Sequence, residues 1–135
     1  SCNSAIYTVN QTNSVITTTA GTFVQVPFGS VIRRFGSNLG LDGGSIVSCG
    51  SGYFDVECSI SLTPTAAGPL NVEIRKDGVP VTGLEASIVG VAAQTNNLCL
   101  TGLARNCGCD CNSVFTLWVD APCTLVNCAT VVEKL

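Results

Sequence analysis

Gly52-Tyr53-Phe54-Asp55-Val56-Glu57-Cys58-Ser59-Ile60-Ser61-Leu62-Thr63-Pro64 decides how the rest of the chain is read. Phe54, Val56, Cys58, Ile60 and Leu62 alternate without a break against Tyr53, Asp55, Glu57, Ser59, Ser61 and Thr63. A period of two sends the first set to one face of a β-strand and the second to the other, so one face is buried and one polar. A slip of one residue would bury Asp55 and Glu57, which pins the register. Gly52 opens the strand and Pro64 closes it. The stretch is expected to be the central strand of an all-β domain, with Cys58 a thiol in its core.

Working outward, residues 70–75 repeat the alternation with Leu70, Val72 and Ile74 facing in, and Asp77-Gly78 predicts a hairpin with a type I′ turn. Residues 79–84 lead back. Residues 85–93 are small and β-branched, and Gly90 with that branching favours strand over helix. Residues 98–104, 114–119 (with Phe115 and Leu117 toward the core) and 125–135 are the last strands. Before the central strand, residues 5–9, 15–19, 22–26, 30–35 and 45–47 are β-rich, whereas 36–44, with its four glycines, reads as tight turns around Leu39 and Leu41. No segment carries a sustained helical period or caps. Eight to ten short strands separated by turns predict one β-sandwich domain over residues 1–135, a jelly roll.

Composition narrows the function. Hydrophobic residues make up 46% of the 135, and charged ones only 11%, against about 25% in ordinary soluble domains. So little charge favours a surface covered by partners, hence an oligomer or a component of an assembly. Residues 1–32 carry no charge at all, and 1–26 are expected to form an arm or edge-strand region lying on a neighbouring strand or subunit. The net charge is −3, and the basic residues Arg33, Arg34, Arg75, Lys76, Arg105 and Lys134 are scattered, which excludes nucleic acid as a partner. No apolar run approaches the ~18 residues of a membrane span, and the N-terminus lacks the basic and apolar regions of a signal peptide. The chain has no Met and begins at Ser1, so synthesis in the cytoplasm with removal of an initiator Met is expected.

Catalysis is not indicated. Without histidine the chain lacks the commonest general base, the usual partner of a nucleophilic Ser or Cys, and the usual zinc ligand. Asp55 and Glu57 read as a solubilising face, and residues 40–44 lack the Lys-Ser/Thr and helix of a phosphate loop. No enzyme activity and no cofactor are expected. The nine cysteines are the sharpest feature. Their odd number leaves at least one unpaired within the chain. Cys107, Cys109 and Cys111 alternate in a loop with Cys99 on the preceding strand; disulfides within or between chains, free thiols and, as weak candidates, metal ligands all remain open. Cys123 and Cys128 flank a turn-to-strand junction and could bridge each other, and Cys49 nears Cys58 only if their strands pair. Trp118, among Phe115, Leu117 and Val119, fits either a subunit contact or a sugar-stacking platform.

Arg33-Arg34-Phe35-Gly36, Gly52-Tyr53-Phe54-Asp55-Val56, Pro64-Thr65-Ala66-Ala67-Gly68, Lys76-Asp77-Gly78-Val79-Pro80-Val81-Thr82-Gly83 and the terminal Val131-Val132-Glu133-Lys134-Leu135 together carry a resemblance. In this order they resemble small structural proteins of phages and prophages of gut Firmicutes. These look like the globular domains of bacterial collagen-like and spore-surface proteins, and more distantly like tumour-necrosis-factor (TNF) and complement C1q heads. The motifs are structural and not catalytic, and the chain departs from collagen-tethered members in having no Gly-X-Y tract. The resemblance implies a jelly roll that assembles as a homotrimer, with apolar sheet faces buried near the three-fold axis. Trp118, Val126, Val131 and Val132 are then the candidate trimer contacts. In the final strand Leu125, Ala129 and Val131 alternate with Val126, Cys128 and Val132, a pattern suited to burial on both faces. The function implied is that of a virion structural protein, a capsid decoration or cementing head in contact with capsid or other virion proteins. The alternative is a host-cell or glycan-binding head of a phage fibre, or of a bacterial or spore surface, which would take a host-surface glycan as partner.

Overall fold

The structure, a computed structural model, describes residues 3–107 and 112–135. Among these there are twelve strands and no helix: β1 Ser4–Asn10, β2 Val15–Ile16, β3 Val24–Val26, β4 Ser30–Phe35, β5 Leu39–Asp42, β6 Ser45–Cys49, β7 Gly52–Pro64, β8 Gly68–Lys76, β9 Val79–Gly90, β10 Asn96–Asn106, β11 Asn112–Val119 and β12 Cys123–Lys134. They form two antiparallel sheets. The first runs β10-β7-β12-β1-β4, with β2 beside β12 on the edge that β1 occupies further along. The second runs β5-β6-β11-β8-β9, with β3 on the same edge of β11 as β6.

The alternation in β7 explains its place. Flanked by β10 and β12, it exposes its outer row and buries Phe54, Val56, Cys58, Ile60 and Leu62 against the second sheet. From that sheet Leu70, Val72 and Ile74 of β8 and Phe115 and Leu117 of β11 are buried in return. Burial of each large apolar side chain contributes about 1.5–3 kcal/mol, and the two sheets interdigitate, as in the tilted ring contact of Phe54 with Phe115 (6.4 Å between centroids). At the Asp77-Gly78 hairpin both central residues have positive φ, 51° and 82°, the requirement of a type I′ turn.

Several sequence expectations are corrected. The glycine-rich 36–44 is not all turn, because Leu39–Asp42 is a strand. Leu39 is buried on its inner side, and Gly43-Gly44, at φ 57° and 83°, turns the chain tightly into β6. Residues 79–84 and 85–93 are one strand to Gly90; Gly83 (φ 91°) bends it without ending it. The β-structure at 15–19 and 22–26 shrinks to β2 and β3, and β5 adds to the count, so there are more strands than eight to ten. In β12 a bulge at Val126 resets the alternation. Leu125 therefore points inward with Cys128, Thr130 and Val132, while Ala129 and Val131 face out.

Pro27-Phe28-Gly29 carries the chain from β3 in one sheet to β4 in the other. Phe28 is buried, its N–H donates to the Gly44 carbonyl at 2.9 Å, and Asn10 Nδ2 donates to the Pro27 carbonyl at 2.9 Å. Gly29 has φ 105°, and a Cβ there would collide with the Val9 carbonyl and lie 2.7 Å from Asn10 Cα. Gly29→Ala is expected to cost at least ~2 kcal/mol in urea unfolding, from strain plus backbone collision. Gly21→Ala, at a similar φ (90°) but in open space, is expected to cost only about 1 kcal/mol.

Candidate assembly face and the cysteine-bearing end

The outer face of the first sheet divides into two halves. Across β1 and β12, Tyr7 stands opposite Val131 and Val9 opposite Ala129, all half-buried, with Ala5 beside them. The edge strand β4 extends this stripe: Phe35, 61% exposed, stands opposite Ala5, and Arg33 opposite Tyr7. On the other side the outer faces of β7 and β10 are mostly polar, with Tyr53 and Leu103 also exposed. Asp55 stands opposite Glu133 and Leu103, and Glu57 opposite Val131 and Thr101. An apolar stripe on a face that no other part of the described chain covers, bounded by an acidic row and by Arg33, has the makeup of an interface core with a charged rim.

The four candidate trimer contacts do not share this face. Val131 lies in the middle of the stripe. Val126, the bulge residue, is half-buried near its end. Val132 is corrected: it points the other way and is 0% exposed in the core. Trp118 is on the second sheet, opposite Glu73 of β8. Its ring carries the Arg75 guanidinium 4.1 Å from its centroid, and the same guanidinium lies 5.3 Å from the Phe23 ring while Nε donates to Glu73 Oε2 at 2.6 Å. The indole N–H donates to Thr116 Oγ1 at 2.8 Å. A ring face already covered by a paired arginine is not an open platform for a sugar. The stack clamps β3 to β8 and β11. No signal in the sequence joined Phe23, Arg75 and Trp118.

At one end of the sandwich, Asn106 closes β10 and Ser113 is the second residue of β11. Ser113 Oγ donates to Asn106 Oδ1 at 2.5 Å, and Asn106 Nδ2 donates to Ser48 Oγ at 3.1 Å and to the Gly50 carbonyl at 3.2 Å. All three side chains are buried, so the knot ties the two sheets together and satisfies its own polar atoms. Beside it, Arg34 Nη1 donates to the Leu39 carbonyl at 2.9 Å and borders a cleft of about 430 Å³ lined by Asn38, Gly40, Val47, Cys49 and Val114.

The cysteines separate. Cys109 and Cys111 lie outside the described residues. Cys107 is exposed at the end of β10, and Cys99 is exposed on the outer face of the same strand. Eight steps of extended chain from Cys99 to Cys107 span roughly 26 Å, so those two do not meet. Among the described residues no group of three or more His, Cys, Asp or Glu side chains could hold a metal. The Cys123–Cys128 bridge is also corrected: both lie on β12, five positions apart along extended chain, beyond disulfide reach. Cys49 ends β6 and pairs with Asn112, in the sheet opposite Cys58, so those two do not meet. Cys58 meets Cys128 instead, Sγ to Sγ 3.7 Å.

Burial pushes the Cys123 thiol up to about 11. An unfolded cysteine ionises near 8.5, so the folded state holds a proton that the unfolded state releases between those values. This contribution to stability is complete below the unfolded pKa and is lost as pH rises through the folded one. Urea midpoints are expected to fall between about pH 9 and 11, by an amount equivalent to roughly 2–3 kcal/mol, and Cys123→Ala should flatten that slope.

No family model matches the chain, and no curated protein matches it. Solved structures do. Eiger TNF from S. frugiperda superimposes with a TM-score of 0.66 at 10% identity, covering 98% of this chain and 91% of that one. The globular domain of zebrafish complement 1qA gives 0.63 at 12% identity, covering 97% and 95%. PRD1 vertex protein P5 gives 0.61 at 11% identity, covering 97% and 72%. Two antiparallel sheets that superimpose on these structures over nearly the whole chain are a TNF/C1q-like jelly roll.

Proposed function

We propose that the chain is a virion structural protein: a jelly-roll head that assembles as a homotrimer through the outer face of its first sheet and decorates or cements a capsid. The observation that carries this reading is the stripe of Ala5, Tyr7, Val9, Ala129 and Val131, extended by Phe35, which a lone chain would leave open to water. The scarcity of charge and the likeness to a vertex protein, PRD1 P5, support it. In this reading the head is made in the bacterial cytoplasm, works on the virion, and acts through surface contact with other virion proteins, without catalysis or cofactor.

Light scattering of the full chain in reducing buffer gives the oligomeric state. A trimer is expected at micromolar concentration, and a stable monomer overturns the assembly. Quantified bands of purified virions give the copy number. An abundance near that of the major capsid protein is expected; a low-copy component that binds host cells or glycans would replace decoration with a receptor-binding head.

A further inference from the structure

Cys58 on β7 and Cys128 on β12 both point inward from neighbouring strands and are buried, with their sulfurs 3.7 Å apart. Cys58 stands directly opposite Thr130, so Cys128 is its diagonal neighbour. Thr130 Oγ1 donates to Cys58 Sγ at 3.4 Å and lies 3.6 Å from Cys128 Sγ. The other described thiols lie elsewhere: Cys49, Cys99 and Cys107 are exposed, and Cys123 is buried further back along β12.

We propose that Cys58 and Cys128 are a site of reversible oxidative cross-linking, forming a disulfide between β7 and β12 when the protein meets a peroxide. The sulfurs must close by about 1.6 Å to reach bonding distance. Diagonal neighbours on antiparallel strands have Cα atoms ~7–8 Å apart, slightly beyond the usual disulfide range. The bulge at Val126, two residues before Cys128, interrupts the ladder there and supplies the slack for that movement. A bond closed over such an offset is strained and easily reduced, which makes the cross-link reversible.

The environment selects the attacking sulfur. The hydrogen bond from Cys58 holds the Cys128 thiol below its ordinary pKa, while that contact and burial push Cys58 well up. The Cys128 thiolate attacks one oxygen of hydrogen peroxide and the O–O bond breaks, leaving a sulfenic acid on Cys128 and hydroxide, which takes up the proton that Cys128 released. The Cys58 sulfur then gives up its proton and attacks the Cys128 sulfur. The S–O bond breaks and the departing hydroxide leaves with that proton as a second water. In sum, two thiols and one peroxide become one disulfide and two waters, with two electrons passing from sulfur to peroxide. Peroxide is close to water in size, so it suits a buried pair better than a bulky disulfide reagent. The proposal holds whether or not the head belongs to a virion.

The test uses the full chain, folded and reduced. Exposed thiols are first blocked with N-ethylmaleimide, and hydrogen peroxide is then added near stoichiometry. The protein is unfolded, remaining thiols are capped with iodoacetamide, and the digest is read by mass spectrometry. The expected product is a peptide pair joined at Cys58 and Cys128, two hydrogens lighter than its separate parts and lost on treatment with dithiothreitol. Recovery of the two cysteines as iodoacetamide adducts, or as separate sulfinic acids, overturns the proposal, as does their blocking by N-ethylmaleimide in the folded state. Cys58→Ala and Cys128→Ala should each abolish the joined peptide, and the map of the unsubstituted chain decides however well those variants fold.

Discussion

Val131→Lys is expected to leave the sandwich folded and to break the proposed trimer into monomers, whereas Val132→Lys, one residue further on, is expected to prevent folding. Val131 faces out in the apolar stripe directly opposite Glu57. A lysine there finds a carboxylate across the strand pair, an interaction that contributes about 0.2–1 kcal/mol, so the lone chain loses little. In an assembly packed on this face, the same ammonium would be taken out of water once per subunit, at several kcal/mol each. Val132 is fully buried, and a lysine in its place leaves a charge in the core with no partner. Circular dichroism reads the fold and light scattering the mass. A folded, still trimeric Val131→Lys variant would move the interface elsewhere on the molecule.

Phe54→Ala carries the largest expected loss of stability among conservative core changes. Phe54 is fully buried on β7 and packs across the sandwich on Phe115 of β11. Its truncation removes a side chain that joins the two sheets and leaves a cavity, at about 3–5 kcal/mol. Total stabilities of roughly 5–15 kcal/mol leave little after such a loss, and the thermal midpoint should fall by roughly 10–20 °C. Tyr53→Ala, at the exposed neighbouring position, should shift the lone chain by less than about 1 kcal/mol. Calorimetry of the two variants checks the contrast, and equal losses would contradict the register of β7.

These contrasts between adjacent residues were legible wherever alternation is unbroken. Phe54 to Leu62 declares its inner face because a single slip would bury Asp55 and Glu57, and Asp77-Gly78 declares its turn because few dipeptides accept two positive φ angles. The final strand was not legible. A bulge adds one residue without leaving a compositional mark, so Val126 silently put Leu125 and Val131 on opposite faces. The strand Leu39–Asp42 was hidden among glycines, which weaken any strand signal while serving here as turn and contact positions. The cysteines were the hardest to place. Which thiols meet depends on how β7 and β12 register, and residues so far apart in sequence carry no local sign of it. The covering of Trp118 by Arg75 was hidden for the same reason.

The Asn106–Ser48–Ser113 knot has a consequence for engineering. It holds the point where the chain leaves β10 close to the point where it enters β11, whatever residues lie between. Between ends held in this way, each doubling of a long flexible insertion costs only about 0.6 kcal/mol more. A flexible peptide inserted between Asn106 and Ser113 is therefore expected to leave both sheets paired, and circular dichroism of the insertion variant checks it.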